Sequence, residues 1–354
     1  VGSGTTDFHG GFIGSQVGTR ILDSDVEDSS YQILAKSYGG GFAGLSRDAE
    51  IKGTLSTIGI ELIRVLQPQS LIINSHIKNC DYDVNGEDYV GGFIGAQANS
   101  YAINDTIASN NPITVTATKS NAGGFTGRAT VGWTSELGTG DKANGLLEVV
   151  NKLLVGLLSS DPEKASMLLS LVGIHPSAIL GCQIQATELA VSAGENYAGG
   201  MIGNGDGVYL GKSSPEYLNK LAFWKHSENP QYPTEQRGVI TGLKSVSAGK
   251  NFSGGMAGFL GTASVGGLLN AAVGLGGYLG FTIDGIDVTG IASGFTVSAG
   301  GNYAGGGIGE AVGGLVQNSR INNVASVTAE NRAGGFVGCA GPGDLAGTGG
   351  LELK

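Results

Sequence analysis

One phrase recurs along the chain: two glycines, two mostly apolar residues and a further glycine. It is read at Gly10-Gly11-Phe12-Ile13-Gly14, Gly40-Gly41-Phe42-Ala43-Gly44, Gly91-Gly92-Phe93-Ile94-Gly95 and Gly123-Gly124-Phe125-Thr126-Gly127. Four more follow: Gly199-Gly200-Met201-Ile202-Gly203, Gly254-Gly255-Met256-Ala257-Gly258, Gly305-Gly306-Gly307-Ile308-Gly309 and Gly334-Gly335-Phe336-Val337-Gly338. Successive first glycines stand 30, 51, 32, 76, 55, 51 and 29 residues apart. Steps near 30 set the period, and the longer steps are that period plus inserted chain. Such self-similarity is the signature of a solenoid.

The period has a second half. Val191-Ser192-Ala193-Gly194-Glu195-Asn196-Tyr197 returns as Val246-Ser247-Ala248-Gly249-Lys250-Asn251-Phe252 and as Val297-Ser298-Ala299-Gly300-Gly301-Asn302-Tyr303, with Val115-Thr116-Ala117 and Val327-Thr328-Ala329 as shorter echoes. A β-branched strand, a Gly/Asn turn and a second strand make one unit. One such unit exposes its backbone and buries little, whereas units stacked about 4.8 Å apart satisfy one another. The glycines are expected to allow close backbone approach and positive φ at corners. The fold expected is all-β: one parallel β-helix (β-solenoid) domain over 1–354, of about eight glycine-rich repeats. Phe and Ile of the motif are adjacent and so predict burial on both faces of a strand, the outer one covered by insertions.

The 65 glycines show no Gly-X-Y period, which excludes collagen. A formal charge of −10 argues against a nucleic-acid partner, whose phosphates require clustered Lys and Arg. Cys80, Cys182 and Cys339 are too few and too scattered for a disulfide framework or a CxxC zinc site, and are read as free thiols, Cys80 and Cys182 buried. The opening at Val1 reads as a piece of something longer.

Four insertions are expected on the outside of the solenoid. Residues 54–70 read as a short helix ending at Pro68. Residues 137–180 read as a helical hairpin, with Leu146, Leu147, Val150, Leu153, Leu154 and Leu157 at helical spacing and Ser160-Asp161-Pro162-Glu163 opening a second helix. Residues 204–238 form an aromatic loop. Residues 263–281 carry no charge, but their glycines and lack of basic flanks favour a buried packing segment over a membrane span.

The loop supplies the candidate ligand-binding residues Tyr209, Tyr217, Phe223, Trp224 and Tyr232, since aromatic faces stack on sugar rings or fill partner pockets. Asp81, Asp83 and Asn85 match the opening of a calcium loop, D-x-D-x-N-G, but the twelfth position is Gly92 and the alternation equally suits a strand edge with Tyr82 and Val84 inward. Calcium is the sole cofactor suggested. Gly39-x-Gly41-x-x-Gly44 satisfies a dinucleotide pattern without the surrounding βαβ unit. Neither H-E-x-x-H nor G-x-S-x-G is present, and the four histidines are scattered, so no catalytic residues are assigned.

The Gly-Gly-Phe-Ile-Gly and Gly-Gly-Phe-Val-Gly units, with Asn79-Cys80 and Asn322-Asn323-Val324 nearby, resemble the GLUG-type glycine-rich repeats of bacterial surface proteins. The resemblance implies an extracellular, cell-surface or wall-associated adhesin-like module. Its partners would be a host glycan or protein, or another bacterial surface protein. Expected alongside is a non-enzymatic stalk that presents its insertions; the alternative is a carbohydrate-active β-helix enzyme, a polysaccharide lyase or hydrolase, which needs clustered carboxylates.

Overall fold

The computed structural model describes residues 7–47, 70–130, 176–214, 235–262 and 280–341, and these residues are all-β. Each motif contributes one strand to each of two eight-stranded sheets. The first sheet takes the residues leading into the glycine pair, from Phe8–Gly10 and Tyr38–Gly40 to Ala304–Gly305 and Ala333–Gly334. The second takes those leading out of it, from Ile13–Val17 to Val337–Gly341. A seven-stranded third sheet runs from Arg20–Leu22 to Gly314–Gln317. A twelve-stranded fourth sheet collects Asp25–Glu27 and Ser30–Ala35 through to Arg320–Asn322 and Val324–Thr328. Strand pairing is parallel in each sheet, and the chain visits the four sheets in the same order at each of the first seven motifs. This is the strand order of a β-helix. We call the strands that follow one motif a layer.

The register explains the repeated words. Val115, Val191, Val246 and Val297 lie in one column, and Ala117, Ala193, Ala248 and Ala299 in another. Side chains of one type therefore pack on their own counterparts one strand spacing away. Phe42, Phe93 and Phe125 are fully buried and stack face to face, with ring centres 4.7 and 4.8 Å apart. One core cluster, from Ile33 to Ala311, draws on all four sheets.

The motif glycines serve close approach. A Cβ on Gly91 would run into the carbonyl oxygen of Ile94, and one on Gly92 into that of Gly124, its counterpart in the next layer. Neither glycine has positive φ, so the expected left-handed corners lie elsewhere. One corner column is turned by Asp23 (φ 49°), Asn74 (51°) and Asn104 (56°), residue types whose short polar side chains tolerate that conformation.

Phe and Ile of the motif do not point to opposite faces of one strand. The N–H groups of Phe93 and Ile94 both donate to the Phe125 carbonyl, so the chain bends between the first and second sheets at Phe93. Both side chains then enter the same core. Two-sided burial does occur in the third sheet. There Ile72, Ala102 and Ile179 face the main core, while Leu71, Ile73, Tyr101, Ile103, Ala178 and Leu180 form a second buried cluster on the other face.

The expected insertions are shorter than their assigned ranges. Ser70–Ile73 and Ala178–Leu180 are strands of the third sheet, as is Phe281–Asp284. Residues 204–206 and Tyr209–Gly211, taken above as loop, belong to strands of the second and third sheets. Short strands of three residues carry too little alternation to be told from loop by pattern alone. The helices expected within 54–70 and 137–180, and most of 263–281, lie outside the described residues. Cys80 and Cys182 are buried free thiols, and Cys339 is half-buried and free.

Candidate binding surface

The corner between the fourth and first sheets carries an outward column of rings. Phe8, Tyr38 and Tyr89 stack with centres 4.9 and 5.0 Å apart. Two layers further on, Tyr197 stacks on Phe252 at 5.0 Å, and Tyr303 continues the series at 5.5 Å. Tyr89, Tyr197, Phe252 and Tyr303 hold φ of 53°, 67°, 66° and 57°. Bulky side chains seldom adopt this region. Here the layer above and below imposes it on each, and ring stacking contributes on the order of 1 kcal/mol per pair.

Beside the rings runs a polar ladder. Asn251 donates from its amide to Asn196 Oδ1 at 2.9 Å, Asn302 does the same to Asn251, and Asn331 to Asn302. Outside it lies a column of alternating charge. Lys119 pairs with Glu87 at 2.6 Å and Lys250 with Glu195 at 3.3 Å. Like charges one strand spacing apart would repel, so the alternation fixes register more than it adds stability.

Asn121 breaks the ring column. Val90 pairs with Ala122 and Ala122 with Ala198, which places Asn121 between Tyr89 and Tyr197. The Arg128 guanidinium lies over the Tyr89 ring, 5.7 Å from its centre, and reaches Asp206 at 3.6 Å. Burial pushes the Asp206 carboxyl up, against the lowering pull of Arg128. Asn121 and Asn204 are more than nine-tenths buried, and Asn121 Oδ1, Asn204 Oδ1 and Arg128 Nε have no hydrogen-bond partner among the described residues.

Of the aromatic residues proposed from the sequence, Tyr209 sits in its strand, half-buried against the second apolar cluster. Tyr217, Phe223, Trp224 and Tyr232 lie outside the described residues. Asp81, Asp83 and Asn85 fall on the strand Asp81–Gly86, with Asp81 and Asp83 exposed and Tyr82 and Val84 buried. That straight strand is not a wrapped loop. Among the described residues no three His, Cys, Asp or Glu side chains gather as metal ligands. Nor, among them, is any helix long and apolar enough to cross a membrane.

The ring column escaped the sequence reading, yet its signal is there. An aromatic residue stands two places before the glycine pair at Phe8, Tyr38, Tyr89, Tyr197, Phe252 and Tyr303, and Asn121 and Arg332 hold the same place in the other two motifs. No family model, curated protein or solved structure matches this chain.

Proposed function

We propose that the four sheets close around their shared core into a β-solenoid of eight coils, and that this rod is a non-enzymatic scaffold for displaying inserted chain. The observation that carries the reading is where the chain leaves the sheets. In the layer of the fifth motif it departs between the third and fourth sheets, after Ser214; in those of the second, fourth and sixth motifs it departs between the second and third sheets, after Arg47, Thr130 and Gly261. In the intervening layers the same corner is closed by one or two residues that include Gly18, Asn99, Gly207 or Gly313, each with φ between 48° and 66°. Two neighbouring layers are about 4.8 Å apart, and a chain going out and back needs about twice that width, so every second layer is the densest display one edge permits.

The resemblance to GLUG-type repeats supports a bacterial, extracellular, surface-attached setting. In that setting the inserted segments meet a host glycan, a host protein or another surface protein. An array of glycans and matrix proteins, probed with the whole chain and with a variant lacking 216–233, tests the reading. Binding lost with the deletion supports it. A chain that binds nothing on the array, or that releases reducing ends or unsaturated sugars from polysaccharides, overturns it.

A further inference from the structure

We infer that the gap at Asn121 in the outward ring column is a binding site for one neutral hexopyranose unit of a saccharide. Tyr89 and Tyr197 face each other across it, two layers or about 10 Å apart. Among the described residues no ring lies on the Tyr197 face turned toward Asn121; its stacked partner Phe252 is on the other side, and Phe259 meets it edge-on at 5.8 Å. The Arg128 guanidinium lies over the Tyr89 ring, so the apolar platform of the gap is the Tyr197 ring, bordered by polar groups.

Those polar groups decide the ligand class. Asn121 Oδ1 and Asn204 Oδ1 need a donor, and Arg128 Nε needs an acceptor. These three, among the buried unpartnered atoms of the described residues, lie where the ring column breaks, on Asn121 itself and on Arg128 and its register partner Asn204. A cation supplies donors alone and an anion acceptors alone. A vicinal pair of hydroxyls supplies both, and the C–H face of the same sugar ring packs on Tyr197. Arg128 is built to yield: its side chain is 37% exposed, and its pairing with Asp206 is loose at 3.6 Å.

The site is built from strand and corner residues of the sheets and rests on the surface-module reading only for an extracellular supply of saccharide. Saturation-transfer NMR on the whole chain tests it, with methyl glucoside, methyl galactoside, methyl mannoside and N-acetylglucosamine as probes and free arginine and inorganic phosphate as controls. We expect at least one sugar to bind with a Kd of roughly 1–10 mM, a value ordinary for a ligand of a dozen heavy atoms. Asn121→Tyr, which completes the ring column with a residue this corner already holds at Tyr89 and Tyr197, should weaken that sugar at least tenfold. Asn204→Ala should weaken it severalfold and keeps the proposal testable should the tyrosine variant misfold. No sugar bound, a sugar bound equally by Asn204→Ala and by folded Asn121→Tyr, or preference for arginine or phosphate would each overturn the inference. An array that still retains glycans or proteins would leave the display reading standing in that event.

Discussion

Gly41 faces the carbonyl oxygen of Gly92, its counterpart one layer on, so closely that no Cβ fits between them. The same relation repeats from Gly11 to Gly41, from Gly92 to Gly124 and onward to Gly306 against Gly335. Only there does it stop, because among the described residues nothing lies within 4 Å of a Cβ built on Gly335. The glycine pair is therefore a consequence of stacking, and its last copy is a built-in control. Gly92→Ala should destabilise the chain by about 3 kcal/mol, while Gly335→Ala should change it by less than about 0.5 kcal/mol, both read by urea denaturation. Equal effects would contradict the close-approach account.

The phenylalanine stack makes a second graded comparison. Phe93 is fully buried between Phe42 and Phe125, whereas Phe12 at the first layer is 48% exposed. Phe93→Ala should cost about 3–5 kcal/mol and Phe12→Ala about 1 kcal/mol by the same assay.

Asp105 makes stability depend on pH in an unusual direction. It is fully buried, accepts a hydrogen bond from the Ser75 N–H at 2.8 Å, and leaves Oδ2 unpartnered. Burial pushes its carboxyl well above the ordinary range, more than that N–H lowers it. A folded-state pKa above the unfolded value gives a contribution fully present below about pH 4 that fades as pH rises toward the folded value. Asp105→Asn should therefore melt at a higher temperature than the parent at pH 7.5, and the difference should shrink at pH 3.5. A difference that is constant or reversed would contradict the assignment.

Asp287 has the opposite sign. Burial alone would raise its carboxyl, but hydrogen bonds from Arg237 at 2.7 Å and Arg320 at 3.0 Å bring it down to about 2. This contribution is present above about pH 4 and is lost as pH falls through 2. Asp287→Asn should cost about 1 kcal/mol at pH 6, a modest figure because Arg320 is largely exposed, and only a small part of that at pH 2. Denaturant melts at the two pH values check it.

Much of this architecture is legible in the residues. The eight glycine pairs and the Val-x-Ala strands are written openly, since each position packs on its own kind, and they lead to parallel stacking without further information. Other features become visible only once the layers are aligned. Excursions of unequal length separate Tyr89 from Tyr197 and Lys119 from Glu195 by 108 and 76 residues, so no local window shows the ring column or the alternating charges. The bend at Phe93 was hidden for another reason: two N–H groups sharing one carbonyl is a matter of backbone geometry that the adjacency of Phe and Ile does not encode. The strand Tyr209–Gly211 was absorbed into a neighbouring aromatic stretch because three residues carry almost no periodicity.

In-register stacking of the motifs is the central claim, and a distance across the layers tests it most directly. Gln32 is in register with Asp83, Thr114, Ala190, Ser245 and Thr296 in turn, six layers joined by five steps. Spin labels on cysteines at Gln32 and Thr296, both exposed, in a chain carrying Cys339→Ser, would report that separation by pulsed electron resonance. The account predicts one narrow distribution near 24 Å, five steps of about 4.8 Å. A broad distribution, or a narrow one centred beyond about 35 Å, would contradict it.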